Sequence, residues 1–442
     1  MSFLNRDNLT DKIKNISDRS DDMKVYGTLT RSIGLTLEGT GFKSRIGEQC
    51  KIIGASGDTF NAVVTGFHKD KIYLMPLSNI FGLEPDCKIQ PLNKMVSIKV
   101  SDQMLGRIID GVGNPLDGLP DIIGEERSIF SPVNNPLSRR QISKPIDVGV
   151  RAINSLLTIG EGQRVGLMAG SGVGKSVLIG MIARNVKADV TVVGLIGERG
   201  REVNDFINDN LGAEGLKRSI VVASPADYTP VQRLYGAYTS LAIAEYFREK
   251  GKKVLLIMDS LTRFAQAQRE IALAMGEPPA TKGYPPSVFT KIPALVERAG
   301  TSSGPGSITG LFTVLAEGDD NNDPIVDACR AILDGHIVLS RNLADVGHFP
   351  AIDIEKSISR LMDQVIDTEH KSLAKEIKKI YTCYSRNKDI IDIGAYSIGT
   401  NKDIDRAIKN INKINNFLQQ DVSEQCNSDV AINFLRELVA GS

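Results

Sequence analysis

Seven residues, Gly170-Ser-Gly-Val-Gly-Lys-Ser176, set three alternating glycines before a lysine and a hydroxyl. Glycines let a chain curl so that successive N–H groups point into one concavity, and a helix N-terminus behind them adds the positive end of its dipole. Such a loop cradles phosphates. Lys175 has the reach to meet the terminal phosphates of a nucleoside triphosphate, and the Ser176 hydroxyl suits Mg²⁺. The flanks agree. Val165-Gly-Leu-Met168 is short enough for a buried strand, and Val177, Leu178, Ile179, Met181 and Ile182 suit a buried helix. Gly170, Ser171, Gly172, Val173, Gly174, Lys175, Ser176 and Val177 are thus the expected nucleotide-binding set. Ala169 stands where this pattern usually opens with glycine, and its Cβ is tolerable only if φ stays negative.

A second stretch, Lys253-Lys-Val-Leu-Leu-Ile-Met-Asp259, is an apolar strand ending in a carboxylate. That arrangement holds an acid at the sheet edge to position Mg²⁺ and its waters. A third, Gly197-Glu-Arg-Gly-Arg-Glu202, follows the apolar run Val190–Ile196. By itself it is a charged, solvated loop. After a second core strand it lies where parallel sheets bind ligands. Glu198 is then placed to orient or deprotonate an attacking water, and Arg199 to meet the γ-phosphate. Phe349, beside Pro350, either presents a flat face to a base or packs in the core.

These groups need elements to hold them. The 442 residues exceed one typical domain. Lys+Arg and Asp+Glu are equal at 53 each, so no global field favours nucleic acid or a membrane surface. The five cysteines form no CxxC pair, which reads as reduced thiols of a cytosolic protein. No apolar run approaches the length of a membrane span, about 18 residues. Residues 1–24 carry a sparse stripe, Leu9, Ile13 and Ile16, that fits a short amphipathic helix or a frayed arm. From 25 to 95, five or six short β-like runs separated by Gly, Asp and Ser predict a small barrel or sandwich. Leu105–Gly118, rich in turn signals, is expected to be the seam. From about Val148 to Leu361 strands alternate with helices, which predicts a parallel sheet covered on both faces, the body of a core domain expected over 96–362. Residues 363–442 show helical periodicity, as in Leu373, Ile377 and Ile380. They are expected to form a small helical domain.

Taken together, the motifs resemble the hexameric ATPases of flagellar and type III protein export, relatives of the α and β subunits of rotary ATP synthases. The likeness runs from about Val25 to the end. It is densest across Leu105–Gly118, the loop after Ala169, Asp259–Phe264, Lys282–Val288, Asp334–Arg341 and Pro350–Arg360. In this family an alanine ahead of the loop is usual. The resemblance implies an α/β RecA-like P-loop core with a small N-terminal β-barrel and a helical C-terminal domain. It also implies ATP and Mg²⁺ as cofactors, with Glu198 as catalytic carboxylate, Lys175 on phosphate, and Ser176 and Asp259 on the metal. Phe349 falls where an aromatic meets adenine. Arg360 falls where a neighbouring subunit inserts an arginine finger.

As partners the resemblance implies five more copies of the chain in a homohexamer. A stator-like regulatory protein is expected at the N-terminal arm, and a central stalk protein at the proline-rich loop Glu277–Pro286. The membrane export gate, export substrates and their chaperones complete the set, with no nucleic acid. The expected location is cytoplasmic, peripheral to the inner-membrane export apparatus. Flagellar export is the first reading and the virulence-type injectisome the second. A rotary β subunit fits less well, because the C-terminal region lacks that subunit's acidic segment. A Rho-like RNA translocase would want exposed aromatics and basic residues in the Val25–Leu92 segment, which has few.

Overall fold

In a computed structural model, residues 25–133, 135–316 and 323–440 are described. The arm with Leu9, Ile13 and Ile16 lies outside them. The chain divides into two compact units, one ending at Val96 and one beginning at Ser97.

The first unit is a closed six-stranded barrel. Its strands are β1 (Gly27–Ile33), β2 (Thr36–Thr40), β3 (Glu48–Ile53), β4 (Thr59–His68), β5 (Lys71–Pro76) and β6 (Lys88–Met95), in spatial order β1-β2-β5-β4-β3-β6. Alternation explains the strands. In β3, Glu48, Cys50 and Ile52 turn inward while Gln49, Lys51 and Ile53 are half-exposed. Leu29, Leu37, Cys50, Ile52, Val64, Leu74 and Ile89 fill the interior. The six strands resolve the barrel-or-sandwich alternative in favour of the barrel.

The second unit is built on a nine-stranded sheet. Along it run Ile358–Ser359, Gly335–Val338, Arg164–Ala169, Ser307–Leu315, Lys253–Asp259, Val190–Ile196, Ser219–Ser224 and Ile108–Asp110, and Gly300–Thr301 pairs with Ser307–Leu315 off this path. From Gly335–Val338 to Ile108–Asp110 every neighbour is parallel. All seven residues of Val190–Ile196 are buried, as expected of a strand covered on both faces. The strand Ile108–Asp110 is a departure from expectation. It lies inside the turn-rich stretch read as a seam, and it forms the last parallel strand of the sheet.

The long helix Pro230–Glu249 begins with a capping box, Thr229 and Gln232 bonding reciprocally, and ends before Gly251 at φ 80°. Its Glu245 carboxylate meets the Arg298 guanidinium through two bonds of 2.9 and 2.8 Å. Both side chains are almost wholly buried. Arg298 also donates to the Ile129 carbonyl (2.8 Å), tying three chain segments together.

Three C-terminal helices, Thr368–Asp392, Lys402–Leu418 and Ser428–Ala440, close the unit. Their Ile377, Ile380, Ile414, Phe417 and Leu435 share one apolar cluster with Ile153 and Leu156 of the helix Arg151–Leu156 and Leu178 and Ile182 of the helix Lys175–Asn185. Buried His370 adds a 2.7 Å bond between its Nε2 and the Ser155 carbonyl oxygen. The helical region therefore has no core of its own.

Glu245→Ala leaves the Arg298 guanidinium buried without its carboxylate. The expected cost is about 3–5 kcal/mol, measurable by urea unfolding followed through tyrosine fluorescence, since the chain has no tryptophan.

Candidate functional site

The site grows from strand ends. The strand Arg164–Ala169 delivers the glycine loop, and the helix Lys175–Asn185 leaves it. Ala169 is still a strand residue, buried and outside the positive-φ set, so its Cβ is accommodated as required. Gly174, by contrast, sits at φ 87° directly before the helix, a conformation that an L side chain would strain. Val173 plugs into the core and anchors the turn from below.

Register brings the acids to the loop. Leu195 pairs with Asp259, and Met258 with Phe312. Glu198 emerges three residues after that paired Leu195. Lys175 Nζ lies 2.5 Å from Asp259 Oδ1 and 3.6 Å from Glu198 Oε1. Thr313, one strand further, donates its hydroxyl to the same Asp259 oxygen at 2.6 Å. Glu198 Oε1 is buried and makes no hydrogen bond.

These contacts set the electrostatics. Burial disfavours the Lys175 cation, but the Asp259 and Glu198 charges outweigh it and hold its pKa above the usual lysine value. Burial is also the largest influence on Glu198. With the Asp259 charge it outweighs the pull of Lys175, and the Glu198 carboxyl is raised to about 7. A carboxyl poised near neutrality is suited to take a proton from water.

A cleft of about 520 Å³ opens over the loop, lined by Gly170–Gly172, Gly174–Val177, Glu198, Thr262, Arg263, Gln266 and Arg341 among others. A larger hollow, about 1060 Å³, lies in the barrel unit among Phe42, Phe67, Lys69 and Asn93. It lacks the charged cluster and the phosphate cradle. The nucleotide set of the sequence therefore lies around one cleft, apart from the buried Val173, which supports it from below.

The remaining expected residues fall in different places. Arg199 is at the rim, 83% exposed, and pairs with Glu202 at 3.0 Å. The Phe349 ring lies against the loop: a Cβ on Gly174 would be 3.5 Å from two of its atoms. It is half-exposed rather than in the core. Arg360 is at the opposite end of the sheet. Its N–H donates to Asp334 O, and Asp334 N–H to Arg164 O, at the start of the strand whose far end carries the loop. The intervening strand spans about 16 Å, so Arg360 does not serve its own chain's cleft. The loop Glu277–Pro286 is largely exposed, though Tyr284 and Pro285 are buried. Arg269 stacks over the Tyr284 ring at 5.0 Å.

Three residues at the site were given no role by the sequence. Thr313, buried within the strand Ser307–Leu315, meets the site through Asp259. Arg263 packs its stem against Gly197, where any Cβ would approach to 2.8 Å. Its charge opposes the rise of the Glu198 carboxyl. Arg341 donates to the Ser171 carbonyl at 3.0 Å, bracing the loop. Two signals were available: Arg263 and Arg341 lie in the stretches Asp259–Phe264 and Asp334–Arg341 that carry the family resemblance, and each follows the end of a core strand.

Among the described residues no three His, Cys, Asp or Glu side chains form a metal cluster. The Ser176 hydroxyl and the Asp259 carboxylate offer only hard oxygen donors. This fits Mg²⁺, which typically takes one or two protein ligands and completes its shell with phosphate and water.

Comparison with known proteins gives the same picture. Residues 149–359 match the nucleotide-binding domain of the ATP synthase alpha/beta family. Residues 366–437 match the C-terminal domain of the T3SS ATPase EscN. The flagellum-specific ATP synthase of Pseudomonas aeruginosa is 53% identical over 422 residues, 94% of each chain. The assembled ATPase EscN from the type III secretion system of enteropathogenic E. coli superimposes with a TM-score of 0.89, at 43% identity, over 93% of this chain and 100% of its own. EscN in complex with its central stalk EscO gives 0.87, at 42% identity, over the same shares.

Because the Glu198 carboxyl is raised above its unfolded value, its ionisation costs stability. That cost is absent below the ordinary value of 4.5 and complete above about 7. Glu198→Gln removes it. The variant is expected to gain on the order of 3 kcal/mol over wild type at pH 8, with the gain vanishing below about pH 5. Urea unfolding at both pH values measures it.

Proposed function

Because the chain belongs to the flagellum-specific ATP synthase family, we propose that it hydrolyses ATP with Mg²⁺ in a homohexameric ring whose sites are each shared by two copies. It is an export ATPase, and its 53% and 52% identities are to flagellum-specific proteins. These exceed the 43% to EscN, which favours flagellar export over an injectisome. The observation that carries hydrolysis is the buried, unbonded Glu198 oxygen 3.6 Å from Lys175 at the ligand edge of the sheet.

In this reading the Gly170–Gly174 N–H groups and Lys175 hold the β- and γ-phosphates. Ser176 and Asp259 would hold Mg²⁺, which would neutralise charge across those phosphates. Glu198 aligns a water with the γ-phosphorus and accepts its proton. Lys175 leaves the Asp259 carboxylate for phosphate, a like-for-like exchange of anionic partners. Phe349, exposed beside Gly174, stacks on adenine. Arg199, at the rim, meets the γ-phosphate as the cleft closes. Arg360 reaches the site of the adjacent copy, where developing negative charge is stabilised from across the interface.

The same reading covers partners. EscN was solved assembled and with a central stalk. By likeness, the exposed loop Glu277–Pro286 faces a stalk protein here. Residues 1–24 receive a stator-like regulatory protein. The membrane export gate, export substrates and chaperones act on the ring. No described helix is long and apolar enough to cross a membrane. This suits a cytoplasmic ring held peripherally at the inner-membrane export apparatus.

The shared site is tested by mixing two inactive chains, Glu198→Gln and Arg360→Ala. In an equal mixture about a quarter of head-to-tail interfaces pair an intact glutamate with an intact arginine. ATPase activity should therefore return to about a quarter of wild type. No recovery in assembled mixed rings refutes sharing. For the loop, Pro278→Ala with Pro279→Ala should lower stalk-stimulated turnover several-fold and leave the basal rate within about twofold. Equal losses in both rates refute that assignment.

A further inference from the structure

The turn between the last two helices carries a buried glutamine whose side-chain amide and backbone N–H are all hydrogen-bonded. Gln420 Oε1 accepts the Arg151 N–H at 2.7 Å. Its Nε2 donates to the Gly149 and Glu424 carbonyls, both at 2.9 Å. Its backbone N–H donates to the Phe349 carbonyl at 3.0 Å. The residue is 5% exposed. The Arg151 backbone donor fixes which way the amide faces, so the side chain has one orientation.

The surrounding turn also reaches the last turn of the helix that leaves the glycine loop. The Arg184 guanidinium on that helix donates to the Val422 carbonyl at 3.2 Å. The Arg151 guanidinium holds the Phe417 and Gln419 carbonyls, each at 3.2 Å, and pairs with the Glu424 carboxylate. One short turn thus grips both Phe349 and the loop helix. The Phe349 ring is half-exposed, with one face against the loop at Gly174. Its backbone attachment to Gln420 supplies a second restraint.

We propose that Gln420 is a positioning residue for the nucleotide base, holding Phe349 in register with the glycine loop through the Gln419–Cys426 turn. The proposal rests on the reading of Phe349 as the adenine-stacking residue. The amide does not touch the nucleotide. It fixes the backbone whose N–H restrains Phe349, so its loss is felt by the base and not by the phosphates.

The test separates base from phosphate. Calorimetry on the full chain compares Mg-ADP with Mg-pyrophosphate for wild type, Gln420→Met, Glu424→Ala and Phe349→Ala. Methionine keeps the volume and removes the hydrogen bonds. Gln420→Met should weaken ADP binding about tenfold and leave pyrophosphate within about twofold, with KM for ATP rising more than kcat falls. Glu424→Ala, which only loosens Arg151, should weaken ADP by about threefold. Its site is 40% exposed and tolerates truncation, so it decides the matter if Gln420→Met does not fold. Equal losses for both ligands, or wild-type ADP binding beside a loss in Phe349→Ala, overturn the proposal. Wild-type ADP binding in Phe349→Ala instead overturns the stacking reading, and the role of Gln420 falls with it.

Discussion

The contact between Lys175 and Asp259, 2.5 Å across the edge of the sheet, is the constraint that the rest of this unit satisfies. Two carboxylates and one ammonium are gathered where little water reaches. Burial and the Asp259 charge push the Glu198 carboxyl up, the lysine charge pulls it down, and the balance leaves it raised. Strand register, the left-handed turn at Gly174 and the Thr313 hydroxyl all serve to fix three side chains that would otherwise separate into solvent.

The order of strands divides the cleft by chemistry. On one side of Arg164–Ala169 lie Ser307–Leu315, which carries Thr313, and Lys253–Asp259 and Val190–Ile196, whose ends bring Asp259 and Glu198. On the other lies Gly335–Val338, followed by Arg341 and Phe349. Reacting groups and recognition groups are thus separated by the loop itself. The C-terminal helices reach the recognition side through the Gln420–Phe349 bond and the loop helix through the shared apolar cluster.

Much of this was legible because buried parallel strands are written as unbroken apolar runs. Val190–Ile196 was read at its observed limits, and Lys253–Asp259 ended at its carboxylate as expected. The helix Pro230–Glu249 carries its own punctuation in the sequence, a proline at its start and Gly251 beyond its end. Ile108–Asp110 was not legible, since three residues among glycines and asparagine carry no period. Arg341 and Gln420 escaped for another reason. Their roles lie in contacts with residues 170 and 71 positions away, and no local pattern encodes such a partner. The family resemblance named Arg360, whose place at the far end of the sheet could not have been found from its neighbours in sequence.

The first unit carries a separate lesson. Its six strands form a ring in which each has a neighbour on both sides, including β1 against β6. Closure leaves less open edge to template another strand than an open sheet would, although the β1–β6 seam is only two residue pairs long. Recognition there falls mainly to side chains, such as the exposed Phe67 and Phe81. The main chain supplies a neutral platform, and a handful of surface substitutions can change the companion while the architecture beneath stays the same.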